Sequence, residues 1–340
     1  MGMSGEEQWA DGESRMQELA ALVQRETRSC SWWERHGVDW TILTLALSIA
    51  PAGFLLLGSD SLLPLSLGFL VLGIAHTVVS VKGSHLASHS SLSQSKSWNK
   101  VWAVFFIEVC GSFTAEKGTY HHVKLHHAYT NVIGLGDSSV WKVPFFPRYI
   151  YLFLLPLALP FLTPIVAIGL IQDLPVLTVI RTLSAITLGM WAHCWLLIRV
   201  SGFQSLPSAF LCMMLYKATF TIPYIHINIF QHIGLAMFSP TKKPKRIYQM
   251  AHGVLNLPRN MFFDWSFGHS FINCHVEHHL FPMLTDHMCL KVKPIVSKYF
   301  KQHNIPYNED TYLSRLRLFI DKYEELMVYA PQLTELVGIQ

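Results

Sequence analysis

The chain has 340 residues, of which 51% are hydrophobic and only 14% charged, against about 25% charged in an ordinary soluble domain. With a mean hydropathy of +0.31 and a formal charge of +4, it is not a disordered chain, a coiled coil or a nucleic-acid binder. Six scattered cysteines with no C-x-x-C pair argue against a disulfide framework and a thiolate zinc site, and favour a reducing, cytosol-facing setting.

Residues 1–40 contain no apolar run of the kind a cleavable signal peptide needs. Met16, Leu19, Leu22 and Val23 recur at helical spacing, so this segment reads as a cytosolic amphipathic helix. Trp32, Trp33 and Trp40 follow, at a predicted membrane interface. Two apolar runs, 41–57 and 62–81, are separated only by Gly58-Ser59-Asp60-Ser61 and predict a transmembrane hairpin. Two more runs, 149–171 and 176–200, are also long enough to span, since a crossing takes about 20 apolar residues. Pro156, Pro160 and Pro164 kink the first of these. Val101–Phe113 is too short and contains Glu108. Leu206–Phe230 contains Lys217, Pro207, Pro223, His226 and Asn228, and reads as an interfacial or protein-buried helix. The expected fold is therefore an all-α integral membrane protein with four transmembrane helices and a cytosolic helical cap. Its divisions are an N-terminal segment 1–40, a membrane domain 41–282 and a C-terminal helical tail 283–340. In this arrangement 25 of the 26 Lys and Arg fall on one side, Arg181 being the exception. The positive-inside rule then places both termini in the cytosol.

Three histidine clusters stand out: His85-Leu-Ala-Ser-His89, His122-Val-Lys-Leu-His126-His127 and His275-Val-Glu-His278-His279. They hold eight of the 18 histidines. Residues three and four apart share a helix face, so His85 with His89, His122 with His126, and His275 with His278 or His279 can aim two imidazoles at one point. A doubled His-His adds a donor turned by about 100°, which reaches a second metal. Eight imidazoles without cysteine suit a borderline first-row metal such as iron. Because a single site usually takes three or four ligands, the number suggests two ions. An even number of crossings returns all three clusters to one face.

The three clusters, with the flanks His126-His127-Ala-Tyr-Thr130-Asn131, Gly136-Asp137 and His278-His279-Leu-Phe-Pro282, resemble the histidine boxes of the membrane fatty acid desaturase family. The resemblance runs from about Trp32 to Pro282. It implies two iron ions, dioxygen as co-substrate and two electrons per turnover, spent on placing a cis double bond in a fatty acyl chain. It also implies one further histidine ligand with an asparagine four residues earlier. Asn228-Ile-Phe-Gln-His232 fits that pattern, which adds His232 as a ligand and Asn228 as an outer partner acting through water. Front-end desaturases carry a fused cytochrome b5 domain and put Gln first in the third box. This chain has neither that domain's His-Pro-Gly-Gly nor the Gln, having His275 instead. A separate donor, cytochrome b5 or a similar acidic carrier, is implied, together with the endoplasmic reticulum membrane.

Outer carboxylates often orient ligating imidazoles, which makes Asp137 and Glu277 candidates, with His269 as a further partner. Lys242, Lys243, Lys245 and Arg246 form a basic cluster suited to an acidic donor or to anionic headgroups. His36, His193, His287 and His303 read as satisfied structural histidines. Two other readings remain. A lipid hydroxylase uses the same boxes. A zinc-dependent membrane hydrolase or lipid-binding receptor needs only three of the histidines.

Overall fold

In lipid a backbone can satisfy its polar groups only within itself, so long apolar segments become helices. The computed structural model describes residues 11–136 and 147–326, which are all-helical apart from isolated β-bridges. Helix α1 is Gly12–Arg28. Among the described residues, five helices are long and apolar enough to cross a membrane. Four match the expected runs: α2 (Trp33–Leu57), α3 (Leu62–Ser88), α6 (Ile150–Leu170) and α7 (Val176–Arg199). The fifth, α8 (Leu206–Phe230), is the segment that reads from sequence as interfacial or buried. It is broken once, between Ala218 and Thr221. Between α3 and α6 lie α4, Lys96–Ala103 continued by a π-helical Val104–Cys110, and α5, Ala115–Thr119 continued by a π-helical Tyr120–His126.

Contacts fix the direction of each helix. Thr285 Oγ1 donates to the Arg35 carbonyl at 2.8 Å, so the start of α2 lies against the third-box segment. The α2–α3 turn is at the opposite end. Ser201, just past α7, donates to the Phe54 carbonyl at 2.6 Å. A Cβ on Gly58 would meet the Ser201 backbone at 3.2 Å. The start of α7 lies at the other end, where Arg181 binds Glu108 at 2.7 Å and Glu116 at 2.6 Å. Midway, a Cβ on Gly189 would fall 2.0 Å from the Val109 carbonyl, so only glycine lets α7 and α4 touch. Helix α8 then runs back from the α2–α3 turn, past Gly73, whose Cβ would press on Thr219, to His232. Helix α6 starts beside α8, where the Leu152 carbonyl accepts from His226 Nε2 at 3.0 Å. The Phe161 and Phe210 rings lie 6.1 Å apart. The turn after α6 comes back to α5, where Asp173 meets Lys117 at 3.5 Å. Outward faces carry Leu62, Ile165, Leu177 and Leu211, all exposed, as lipid-facing surface requires.

The remaining helices, α9 (Arg246–Gly253), α10 (Met261–Ser266), α11 (His275–Leu280), α12 (Asp286–Gln302), α13 (Tyr312–Asp321) and α14 (Tyr323–Leu326), lie at the end where the histidines meet. Of these, α9, α11 and α12 enclose a separate core of Leu19, Val23, Met250, Val276, Val292 and Phe300. The apolar stripe of α1 completes it, with Tyr299 donating to Glu18 at 2.8 Å.

Candidate metal centre

All three boxes and His232 converge. Their ring nitrogens form two groups, His85, His89, His122, His127 and His278 in one, His126, His232, His275 and His279 in the other. Within each group the nitrogens lie within 4.8 Å of one another. The doubled histidines divide as their rotation about the helix requires: His126 and His127 face different groups, as do His278 and His279. One expectation fails. His122 and His126 do not aim at one point. Their stretch is π-helical, with the His127 amide donating to the His122 carbonyl at 3.1 Å. The wider turn aligns residues five apart, so His122 joins His127 in the first group.

The tautomers follow from the partners, because a carbonyl can only accept. His232 Nδ1 donates to the Gly253 carbonyl at 3.2 Å, and His275 Nδ1 to the Ser270 carbonyl at 2.8 Å. Each therefore presents a bare lone pair at Nε2, and these two atoms face each other at 2.9 Å. Two acceptors at that separation repel unless a cation lies against both. His279 shows the same logic: the Thr130 hydroxyl gives its proton to the His126 carbonyl and so accepts from Nδ1 at 3.1 Å. In the first group His127 and His278 face each other Nε2 to Nε2 at 3.0 Å. Seven buried ring nitrogens, on His85, His89, His122, His127, His278 and His279, have no hydrogen-bond partner among the described residues. Buried polar atoms are rarely left so, and a donor set of this kind fits a pair of metal ions.

Burial keeps these rings neutral, the form that ligates. It pushes His126 down to about 4 and His275 to about 3, and holds His89, His122, His127, His232, His278 and His279 well below the ordinary imidazole value.

The outer residues fall differently. Asn228 donates to the Tyr224 carbonyl at 2.7 Å. His269 meets Asn273 at 3.2 Å and lies outside both groups. Asp137 is outside the described residues. Glu277 is buried on the far side of its helix, accepting from Tyr307 at 2.6 Å and Asn256 at 3.1 Å. Burial pushes its pKa up to about 7. A carboxyl raised in the folded state holds its proton where the unfolded chain has lost it. Its contribution is present below the ordinary value near 4.5 and is lost as pH rises towards 7. Glu277→Gln is expected to flatten that decline, measured as thermal stability between pH 4.5 and 7.

In the basic cluster Arg246 donates to the His279 carbonyl, Lys243 to the Ala128 carbonyl at 2.7 Å, and Lys245 pairs with Glu13 at 3.1 Å. Lys242 is exposed beside them. Sequence reasoning missed a buried triad next to the first box. Lys82 lies between Asp39, at 2.7 Å, and Asp286. The only sequence signal for it is a lysine at the end of an apolar run three residues before a box histidine.

A family model, fatty acid desaturase, matches residues 60–311. Fatty acid desaturase 6 of Bos taurus is 56% identical over 331 residues, 97% of each chain, and that of Mus musculus is 55% identical over 328 residues, 96% of each. Fatty acid desaturase 3 of Bos taurus is 23% identical over 251 residues, 68% of this chain and 55% of the relative. With nine imidazoles gathered in two groups at one end of an apolar helical bundle and the family model matching most of its length, this chain belongs to the fatty acid desaturase family.

Proposed function

We propose that the protein is a membrane fatty acyl desaturase whose two iron ions are held by the nine histidines, five around one and four around the other. The observation that carries this is the Nε2 lone pairs of His232 and His275 facing each other at 2.9 Å. Iron, when bound, supplies the oxidising power drawn from dioxygen and two electrons that removes two hydrogens from an unactivated chain. The protein's part is to present neutral imidazoles in fixed tautomers, to bury them from water, and to hold the chain against them. Asn228 is carried as an outer partner through water. Purified protein is expected to contain about two irons per chain and to convert a saturated acyl chain to a product two mass units lighter. A product heavier by one oxygen would mean hydroxylation, and a single zinc would mean a hydrolase or receptor.

Electrons arrive from a separate acidic carrier of the cytochrome b5 kind at the basic face of Lys242, Lys243, Lys245 and Arg246. Lys245 is neutralised by Glu13 and Arg246 is half-buried on the His279 carbonyl, whereas Lys242 and Lys243, the latter bonded only to the neutral Ala128 carbonyl, keep exposed charge, so these two carry the docking. Donor-supported turnover that stays unchanged when both are reversed to Glu would sink this docking site.

The division into segments 1–40, 41–282 and 283–340 stands as part of this reading, the last supplying Asp286 and Tyr307 to the neighbourhood of the boxes. The four crossings are α2, α3, α7 and α8. The α7–α8 connection lies beside the α2–α3 turn, while the turn after α6 meets Lys117, five residues before His122. These contacts support α6 as a segment that enters the membrane and returns to the same face. Both termini then lie on the cytosolic side of the endoplasmic reticulum. An N-glycosylation acceptor inserted at 202–205 is expected to be modified, and one inserted at 171–175 is not. Modification at 171–175 would restore α6 as a crossing.

A further inference from the structure

Ser270 sits in the turn that precedes the third box and touches an imidazole from each group. Its carbonyl accepts from His275 Nδ1 at 2.8 Å. Its hydroxyl lies 3.3 Å from His85 Nδ1 and donates to Asp286, whose Oδ1 also accepts the Ser270 amide at 3.1 Å. Because the hydroxyl proton is committed to the carboxylate, the oxygen accepts from His85. That places the proton of His85 on Nδ1 and its lone pair on Nε2, an atom buried without a partner. Asp286 is in turn held by Lys82, which bonds Asp39 as well. The turn is shaped for this contact. Gly268 has φ +107, a left-handed conformation that favours glycine, and a Cβ there would fall 2.2 Å from Asp286 Oδ2.

We propose that Ser270, anchored by Asp286, is a positioning residue that sets the orientation and tautomer of His85 in the five-histidine group while fixing His275 in the four-histidine group. The two halves of Ser270 act separately. The backbone half survives any substitution, and the hydroxyl half does not. Losing the hydroxyl frees the His85 ring and leaves Asp286 without one donor, while His275 keeps its acceptor. The effect is therefore selective for one group. Residues that orient ligating imidazoles are worth about 10- to 100-fold in metal affinity.

The inference rests on the two-metal reading, and the experiment separates the two. Metal-free wild type, Ser270→Ala and Ser270→Thr, purified in nanodiscs, are titrated with Co2+ and followed by visible absorption, with thermal unfolding of the metal-free proteins as a control. Wild type is expected to bind two ions. Ser270→Ala is expected to lose about 10- to 100-fold in affinity at one of them, the other isotherm staying at the wild-type value, and Ser270→Thr is expected to recover the loss. A wild type that binds fewer than two ions overturns the metal reading. With two ions bound to wild type, this inference fails if Ser270→Ala binds as wild type does, or if both isotherms weaken equally. It also fails if Ser270→Thr binds as Ser270→Ala does while melting as wild type. Should Ser270→Ala not fold without metal, Ser270→Cys serves instead. It keeps the shape and puts a weakly hydrogen-bonding thiol where the hydroxyl accepts from His85. The same selective weakening is expected, and a wild-type isotherm overturns the role.

Discussion

Replacing His278 with alanine is expected to remove the metal of the five-histidine group and to lower turnover by about a thousandfold or more. His278 packs against three of the other four rings of that group, at 4.4 Å from His85, 4.6 Å from His89 and 4.6 Å from His127, with His122 at 6.4 Å. It has no role in the surrounding apolar core that alanine would upset beyond a small void. A bound metal supplies several kcal/mol of barrier lowering, and each 1.36 kcal/mol is about tenfold in rate, so losing it costs three or more powers of ten. Metal content by elemental analysis and acyl products by mass spectrometry measure the two effects together. Iron falling from two per chain to about one, with the double-bond product gone, is the expected outcome. Full metal content with full turnover would mean that His278 is not a metal ligand.

Lys82→Met is expected to destabilise the fold by about 3–5 kcal/mol. Lys82, Asp39 and Asp286 are all buried, and removing the ammonium leaves two carboxylates facing each other away from water. Breaking a buried pair from one side carries a cost of this order, whereas replacing every member by neutral groups of similar volume is close to neutral. The triple variant Lys82→Met, Asp39→Asn, Asp286→Asn should therefore recover most of the loss. By contrast, the exposed pair Lys245–Glu13 should be worth under about 1 kcal/mol. Half-lives of thermal inactivation measure these differences where unfolding is irreversible. Equal half-lives for Lys82→Met and wild type would show that the triad is solvated.

The histidine spacing made eight of the nine clustered imidazoles legible, and His232 came only from what the family resemblance implies. What spacing did not reveal was how they divide. The π-helical turn through Tyr120–His126 shifts the alignment from four residues to five, and a 3.6-residue periodicity has no means of anticipating it. The triad was hidden for a different reason. Lys82 and Asp286 are 204 positions apart, and nothing local to either predicts the other. Glu277 illustrates a third limit. Sitting between box histidines, it reads as an orienting carboxylate. One residue from His278 on a helix is about 100° of rotation, which turns it to Tyr307 and Asn256 instead. Helix α8 reads as interfacial or protein-buried because Lys217, Pro223 and His226 lower its apolar score. Lys217 and His226 are buried against other helices rather than lipid, so neighbours bear a cost that composition assigns to the bilayer.

The imidazoles of one group are drawn from opposite ends of the chain: His85 and His278 are separated by 193 positions. A ribosome adding about 5–20 residues per second takes on the order of ten to forty seconds to travel between them. From His127 onward in that interval, the first two boxes exist without the third. The nascent protein therefore holds only the ligands of an incomplete, weak site. On the two-iron reading, loading would belong to the last stage of biogenesis, after synthesis has passed His279 and the terminal helices have closed over it. Cells short of iron should accordingly accumulate a fully translated, membrane-inserted apoprotein rather than stalled fragments.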